Sequence, residues 1–198
     1  MSIIKRFLVI LCVITATVAV AQIDSDPDGI GIYFDQDATS VSTIATEGTF
    51  SVAAYLVMTN PTYQGALYYW EAYVATYAET DSGTAAISGD PSLFFGSNLG
   101  TNTPGSSHWG FQVFIQSPPP YLTSPITVLA HLEIWPNTFV EPINLYVWEG
   151  ATYTVSDVGT ALMNPSSGDW LLPSAVVNGP APVSSEPSTW GAVKSIFR

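Results

Sequence analysis

The eleven residues Pro125–Trp135, PITVLAHLEIW, decide the fold class. Ile126, Val128, Ala130, Leu132 and Ile134 fall on one side of an extended chain, and Thr127, Leu129, His131, Glu133 and Trp135 on the other. A period of two marks a strand with one buried face. Just before it, HWGFQVFIQ (His108–Gln116) repeats the pattern, with Trp109, Phe111, Val113 and Ile115 opposite Gln112, Phe114 and Gln116. Between the two lies SPPP, starting at Ser117, which no helix could cross.

Working outward, the same signature recurs in GIGIYF (Gly29–Phe34), TFSVAAYLVM (Thr49–Met58), ALYYWEAYVATYA (Ala66–Ala78), INLYVWE (Ile143–Glu149) and SAVVNGPAPV (Ser174–Val183). Turn clusters separate the runs: NPTYQG at Asn60, SGDP at Ser88 and NPSSGD at Asn164. Helical periodicity is nearly absent. Seven strands without helices predict an all-β fold, an antiparallel β-sandwich of jelly-roll or Greek-key connectivity. The polar stretch from Glu79 to Ser107 reads as one long loop anchored by Leu93, Phe94 and Phe95.

The chain opens on Lys5 and Arg6, an uncharged apolar run from Phe7 to Val20, and Ala19-Val20-Ala21. This is the pattern of a secretory signal peptide over residues 1–21, cleaved after Ala21. No other apolar run is long enough to span a bilayer, so stable membrane insertion is not expected after cleavage. The sandwich domain then covers 22–183, and 184–198 form a linker and tail. The expected location is extracellular or at the cell surface. Cys12, the only cysteine, lies in the signal and lacks the small preceding residue of a lipid-anchoring site. The mature chain therefore has no disulfide and no thiolate.

Charge excludes further classes. Lys194 and Arg198 are the only cations after residue 6, against 16 acidic residues, a net −14 for the mature chain. Such a body repels nucleic acid. Catalysis is poorly supplied. His108 and His131 form no ligand pair, and there is no nucleophile elbow or phosphate-cradling loop. Glu71, Glu133 and Glu149, each near a tryptophan, leave glycoside chemistry as the weakest of three readings, behind a non-catalytic binding or structural module and a carbohydrate-binding module. The last would use exposed aromatic rings, for which Tyr69, Tyr73, Trp135 and Trp148 are the candidates. Alternation in YYWEAY places Tyr68 with Trp70, and Tyr69 with Glu71 and Tyr73. The expected partner is a polysaccharide or a cell-envelope protein.

DSDPDGIGIYFD (Asp24–Asp35) satisfies the carboxylate spacing of a calcium loop. Its geometry does not. No helix can precede Asp24 after cleavage at Ala21, position eight is Gly31, and the extended run from Gly29 carries Asp35 about 20 Å away. DSDPD reads as a solvated leader. Calcium, the one candidate cofactor, is left with Asp35 and Asp37 at the strand's end.

The order of features resembles that of cohesin-like domains among the immunoglobulin-like sandwiches. Gly48-Thr49-Phe50-Ser51-Val52 leads an early strand, Asn60-Pro61 and Gly65 a turn, Ile126–Ile134 a late strand, and Asn178-Gly179 through Val183 the close. The resemblance spans Gly29–Val183 and implies the fold; no partner-reading motif is matched. The tail, Thr189–Arg198 (TWGAVKSIFR), is similar to short C-terminal sorting tails of secreted bacterial proteins, which would give Trp190, Gly191, Lys194 and Arg198 an addressing role. Pro187–Trp190 also resembles the start of an exosortase signal, but the membrane stretch of that signal is missing. The alternative is one helical turn placing Trp190, Val193 and Phe197 on a shared face.

Overall fold

The computed structural model describes residues 26–78, 85–91, 96–98, 100, 102–103, 105–115 and 119–182. The proposed signal peptide, Asp24, the Leu93–Phe95 anchor and the tail residues Trp190, Gly191, Lys194 and Arg198 lie outside them. The described residues form fourteen strands: β1 (Gly29–Tyr33), β2 (Ser42–Thr43), β3 (Val52–Thr59), β4 (Gly65–Ala78), β5 (Ala86–Pro91), β6 (Gly96–Asn98), β7 (His108–Ile115), β8 (Tyr121–Leu122), β9 (Ile126–Trp135), β10 (Ile143–Val147), β11 (Thr152–Val155), β12 (Gly159–Leu162), β13 (Asn164–Pro165) and β14 (Ala175–Val177).

Two sheets pack face to face. The smaller runs β13-β1-β3-β9-β5. The larger is organised on β4, which pairs with β7 along one edge and with β11 and then β10 along the other. β6 extends the β7 side, β12 the β11 side, and β14 and β2 the β10 side. Pairing is antiparallel except where β1 meets β13 and β14 meets β2. The fold is the expected β-sandwich, with mixed rather than purely antiparallel sheets.

The inner faces meet in one core. Ile30, Ile32, Leu56, Met58, Ile87, Leu132 and Ile134 come from the smaller sheet. Trp70, Val74, Phe111, Val113, Leu145 and Tyr153 come from the larger. Full burial of each such side chain contributes about 1.5–3 kcal/mol before chain entropy is counted. A satellite cluster of Tyr33, Ala38 and Val57, with Ile126 and Val128 against it, lies on the far side of the smaller sheet.

That satellite corrects the simple alternation. Leu56 faces Ala130 but Val57 faces Val128, so Leu129 is bulged out of register and fully buried. Ala130, Leu132 and Ile134 reach the core, whereas Ile126 and Val128 turn to the satellite. A second bulge corrects YYWEAY. Thr154 faces Tyr69 and Val155 faces Leu67, so Tyr68 has no register partner. Leu67 and Trp70 are both buried and Tyr68 is exposed. One extra residue re-aims every side chain beyond it.

The stretch from Glu79 to Ser107 contains β5 and β6 and is not one loop. β5, AISGDP, includes the SGDP expected to turn; it pairs with β9 from Ala86↔Trp135 to Pro91↔Ala130. A proline is tolerated because β5 is an edge strand. Gly89 is required by packing, since a Cβ there would lie 2.6 Å from the Phe111 ring tip.

Candidate binding face

Outward-pointing residues of the larger sheet gather aromatic rings. On β4, Tyr69, Tyr73 and Tyr77 alternate with the buried Trp70, Ala72, Val74 and Thr76, and Glu71 lies between the first two. Phe114 is directly opposite Tyr69 on β7, their rings 4.6 Å apart. Tyr73 is opposite Gly110, and its ring covers that glycine: a Cβ at Gly110 would come within 2.6 Å of it. Tyr73 is 42% exposed, Tyr77 55%, Phe114 49% and Trp148 48%.

Glu71 organises the centre of this face. Its carboxylate accepts from the Tyr69 hydroxyl at 2.5 Å and from the Thr152 hydroxyl at 3.2 Å. Burial, then the bond to Glu71 and its negative charge, push the Tyr69 hydroxyl above the ordinary tyrosine range. At neutral pH it is a donor to Glu71.

Trp148 owes its position to an interruption. β10 and β11 run along the same edge of β4, and residues 148–151 bulge out between them. The Trp148 amide still donates to the Tyr73 carbonyl at 2.8 Å, so the excursion is pinned at its start. Its indole meets His108 edge-on at 5.1 Å. A groove of about 450 Å³ opens beside it, lined by Tyr146, Trp148, Glu149, Trp170 and Leu171. Another hollow, about 460 Å³, lies between the bulged Tyr68 and the β11–β12 turn.

Of the aromatic residues singled out from sequence, Tyr69, Tyr73 and Trp148 therefore share one face. Trp135 does not join them. It ends β9 in the other sheet, on the outer side with His131 and Glu133. Phe114, Tyr77 and Trp170 were not anticipated. The alternation of β7 could have supplied Phe114, and that of β4 Tyr77. Trp170 follows the turn cluster NPSSGD, where no periodic pattern applies.

The acidic candidates part company. Asp35 caps the turn after β1, one carboxylate oxygen accepting from the Thr39 amide at 2.8 Å and the other from the Thr39 hydroxyl at 2.7 Å. Asp37 is exposed. Among the described residues, no three His, Cys, Asp or Glu side chains converge as a metal site would need. Asp28 is not part of a solvated leader. It takes a left-handed backbone, φ 58°, and one carboxylate oxygen accepts from the Thr62 amide at 2.7 Å and the Tyr153 hydroxyl at 2.5 Å. The Tyr153 hydroxyl in turn accepts from the Tyr63 amide at 2.9 Å. This knot ties β11 to the start of β1 and the β3–β4 turn.

No protein-family model matches the chain, and no curated protein aligns with it. Among solved structures it is similar to the sixth cohesin of scaffoldin B from Acetivibrio cellulolyticus, solved in complex with a mutant Cel5 dockerin. The TM-score is 0.49 at 14% identity, covering 77% of this chain and 99% of that one. It is also similar to CaCohA2 from Clostridium acetobutylicum, with TM-score 0.45, 10% identity, and coverage of 81% and 94%. At these identities no binding residue carries across.

Proposed function

We propose that the chain is an exported, non-catalytic binding module that meets a cell-envelope or extracellular partner through the outer face of its larger sheet. One observation carries this reading: among the described residues, Tyr73, Tyr77, Phe114 and Trp148 are exposed on the outer side of the larger sheet. A sheet face that met only water would alternate apolar-in with polar-out, and contiguous exposed rings mark an interaction surface. Aromatic residues are also those that anchor interfaces, because they bring large area at small entropic cost.

The reading is tested by immobilising the mature chain and passing envelope-protein and polysaccharide fractions over it. Replacing Tyr73, Tyr77 and Phe114 together by serine should abolish retention while leaving the melting curve cooperative. Equal retention by the variant would move the interaction off this face. The export part of the proposal rests on the apolar N-terminal run and the TWGAVKSIFR tail. Deleting Thr189–Arg198 and fractionating cells should shift the protein between compartments; unchanged distribution would remove the tail from the sorting scheme.

A further inference from the structure

We propose that the groove between Trp148 and Trp170 is a saccharide site for a neutral chain of pyranose units. The proposal rests on the reading of this chain as a non-catalytic binding module, and places a distinct ligand class at the margin of the open face. The groove's volume of about 450 Å³ falls within the range of small-ligand sites, about 300–1,000 Å³.

Both tryptophans are held in place before any ligand arrives. The Trp148 backbone is held by the hydrogen bond its amide donates to the Tyr73 carbonyl, and its indole meets the ring of His108, whose Nδ1 lies 2.9 Å from the Ser107 hydroxyl. Trp170 is partly buried and packs against the main core. Its loop is stapled by the buried Ser167, whose hydroxyl is bonded to the carbonyls of Asp169 at 2.7 Å and Leu172 at 3.2 Å. Asp169 closes the same loop by accepting from the Leu171 amide at 2.9 Å. Two indoles on independently pinned excursions leave little ordering entropy to be lost on binding.

The lining chemistry selects the ligand. Indole faces stack on the C–H faces of pyranose rings, with polar edges turned outward. Glu149 can accept from sugar hydroxyls. No lysine or arginine occurs between residues 7 and 193, so a uronate or sulfate would meet carboxylates and no cation. The complementary ligand is neutral and rich in hydroxyls.

The test is affinity electrophoresis of the mature chain through gels containing hydroxyethylcellulose, mixed-linkage β-glucan, xylan or galactomannan, with polygalacturonate as the anionic comparison. At least one neutral polymer should retard the chain and polygalacturonate should not. Trp148→Ala and Trp170→Ala should each weaken binding about tenfold or more. Trp170→Phe should recover part of it, and Phe50→Ser, at an exposed ring outside both contact regions, should leave it unchanged. Cooperative melting of each variant excludes a folding artefact, and Trp170→Phe decides the matter if Trp170→Ala fails to fold. Retardation by no neutral polymer, or only by polygalacturonate, overturns the proposal. So does a folded Trp170→Ala chain that binds like the wild type, or a groove that takes only the apolar dye ANS. If envelope retention through Tyr73, Tyr77 and Phe114 persists in any of those cases, the groove proposal alone has failed.

Discussion

Asp28 shows what a single carboxylate does when it is placed in a left-handed turn at the mouth of a sandwich. Its side chain satisfies the Thr62 amide and the Tyr153 hydroxyl, while its own amide and carbonyl bond to Asn60 and Asn164. Tyr153→Phe removes the donor to Asp28 and the acceptor for the Tyr63 amide. A loss of about 1–2 kcal/mol follows, seen as a melting point lower by about 3–6 °C. Alkaline pH gives a second check. Burial, and then the bond to Asp28, raise the Tyr153 hydroxyl above its ordinary value. The folded state therefore keeps a proton that the unfolded chain releases near pH 10. The stabilisation is fully present below about pH 10 and is lost as pH rises beyond it, so the wild type should lose stability there more steeply than Tyr153→Phe. For Asp35, whose oxygens already accept from Thr39, millimolar calcium should leave the melting point unmoved. A rise of several degrees would instead make Asp35 and Asp37 ligands.

Elements differ in how openly they were written. β3, β4, β7, β9 and β10 were legible because each carries an alternating run long enough to show its buried face. β5 was not, because Ser88, Gly89, Asp90 and Pro91 have turn chemistry, and only pairing with β9 makes them extended. β11 and β12 are four residues each, too short for periodicity to declare itself. Bulges at Tyr68 and Leu129 are set by partner strands, so local alternation misassigned their faces. The shared face of Tyr69, Tyr73 and Trp148 could be half seen, since two of the three lie on one strand. That Trp135 belongs to the other sheet depends on strand order, which no local pattern contains. Gly89→Ala is the matching test at this scale. Its methyl would fall 2.6 Å from Phe111 and 2.8 Å from Leu132. Overpacking of that kind should cost about 1–3 kcal/mol, read as a shift of the urea midpoint.

The whole molecule combines a strongly negative body with two aromatic contact regions, one around Glu71 and one beside Glu149, and their proposed ligands differ in salt response. A basic partner on the open face would be drawn in electrostatically, and raising salt from about 0.05 to 0.5 M should weaken that binding markedly. Saccharide binding in the Trp148–Trp170 groove should be nearly unaffected over the same range, because the ligand carries no charge to be screened. Affinity measured at both salt levels distinguishes the two regions. The margin of the smaller sheet bears on crowding. Among the described residues β5 is the last strand on that side of the sheet; its Ile87 amide donates to the Ser106 carbonyl at 2.9 Å, and it ends in Asp90 and Pro91. A charge repels an approaching strand and a proline offers it no N–H. Copies held densely side by side would therefore find no template for strand-by-strand growth there, and the sheet stops at the size of one molecule. Replacing both Asp90 and Pro91 by valine should unlock that growth, with light scattering that rises with protein concentration.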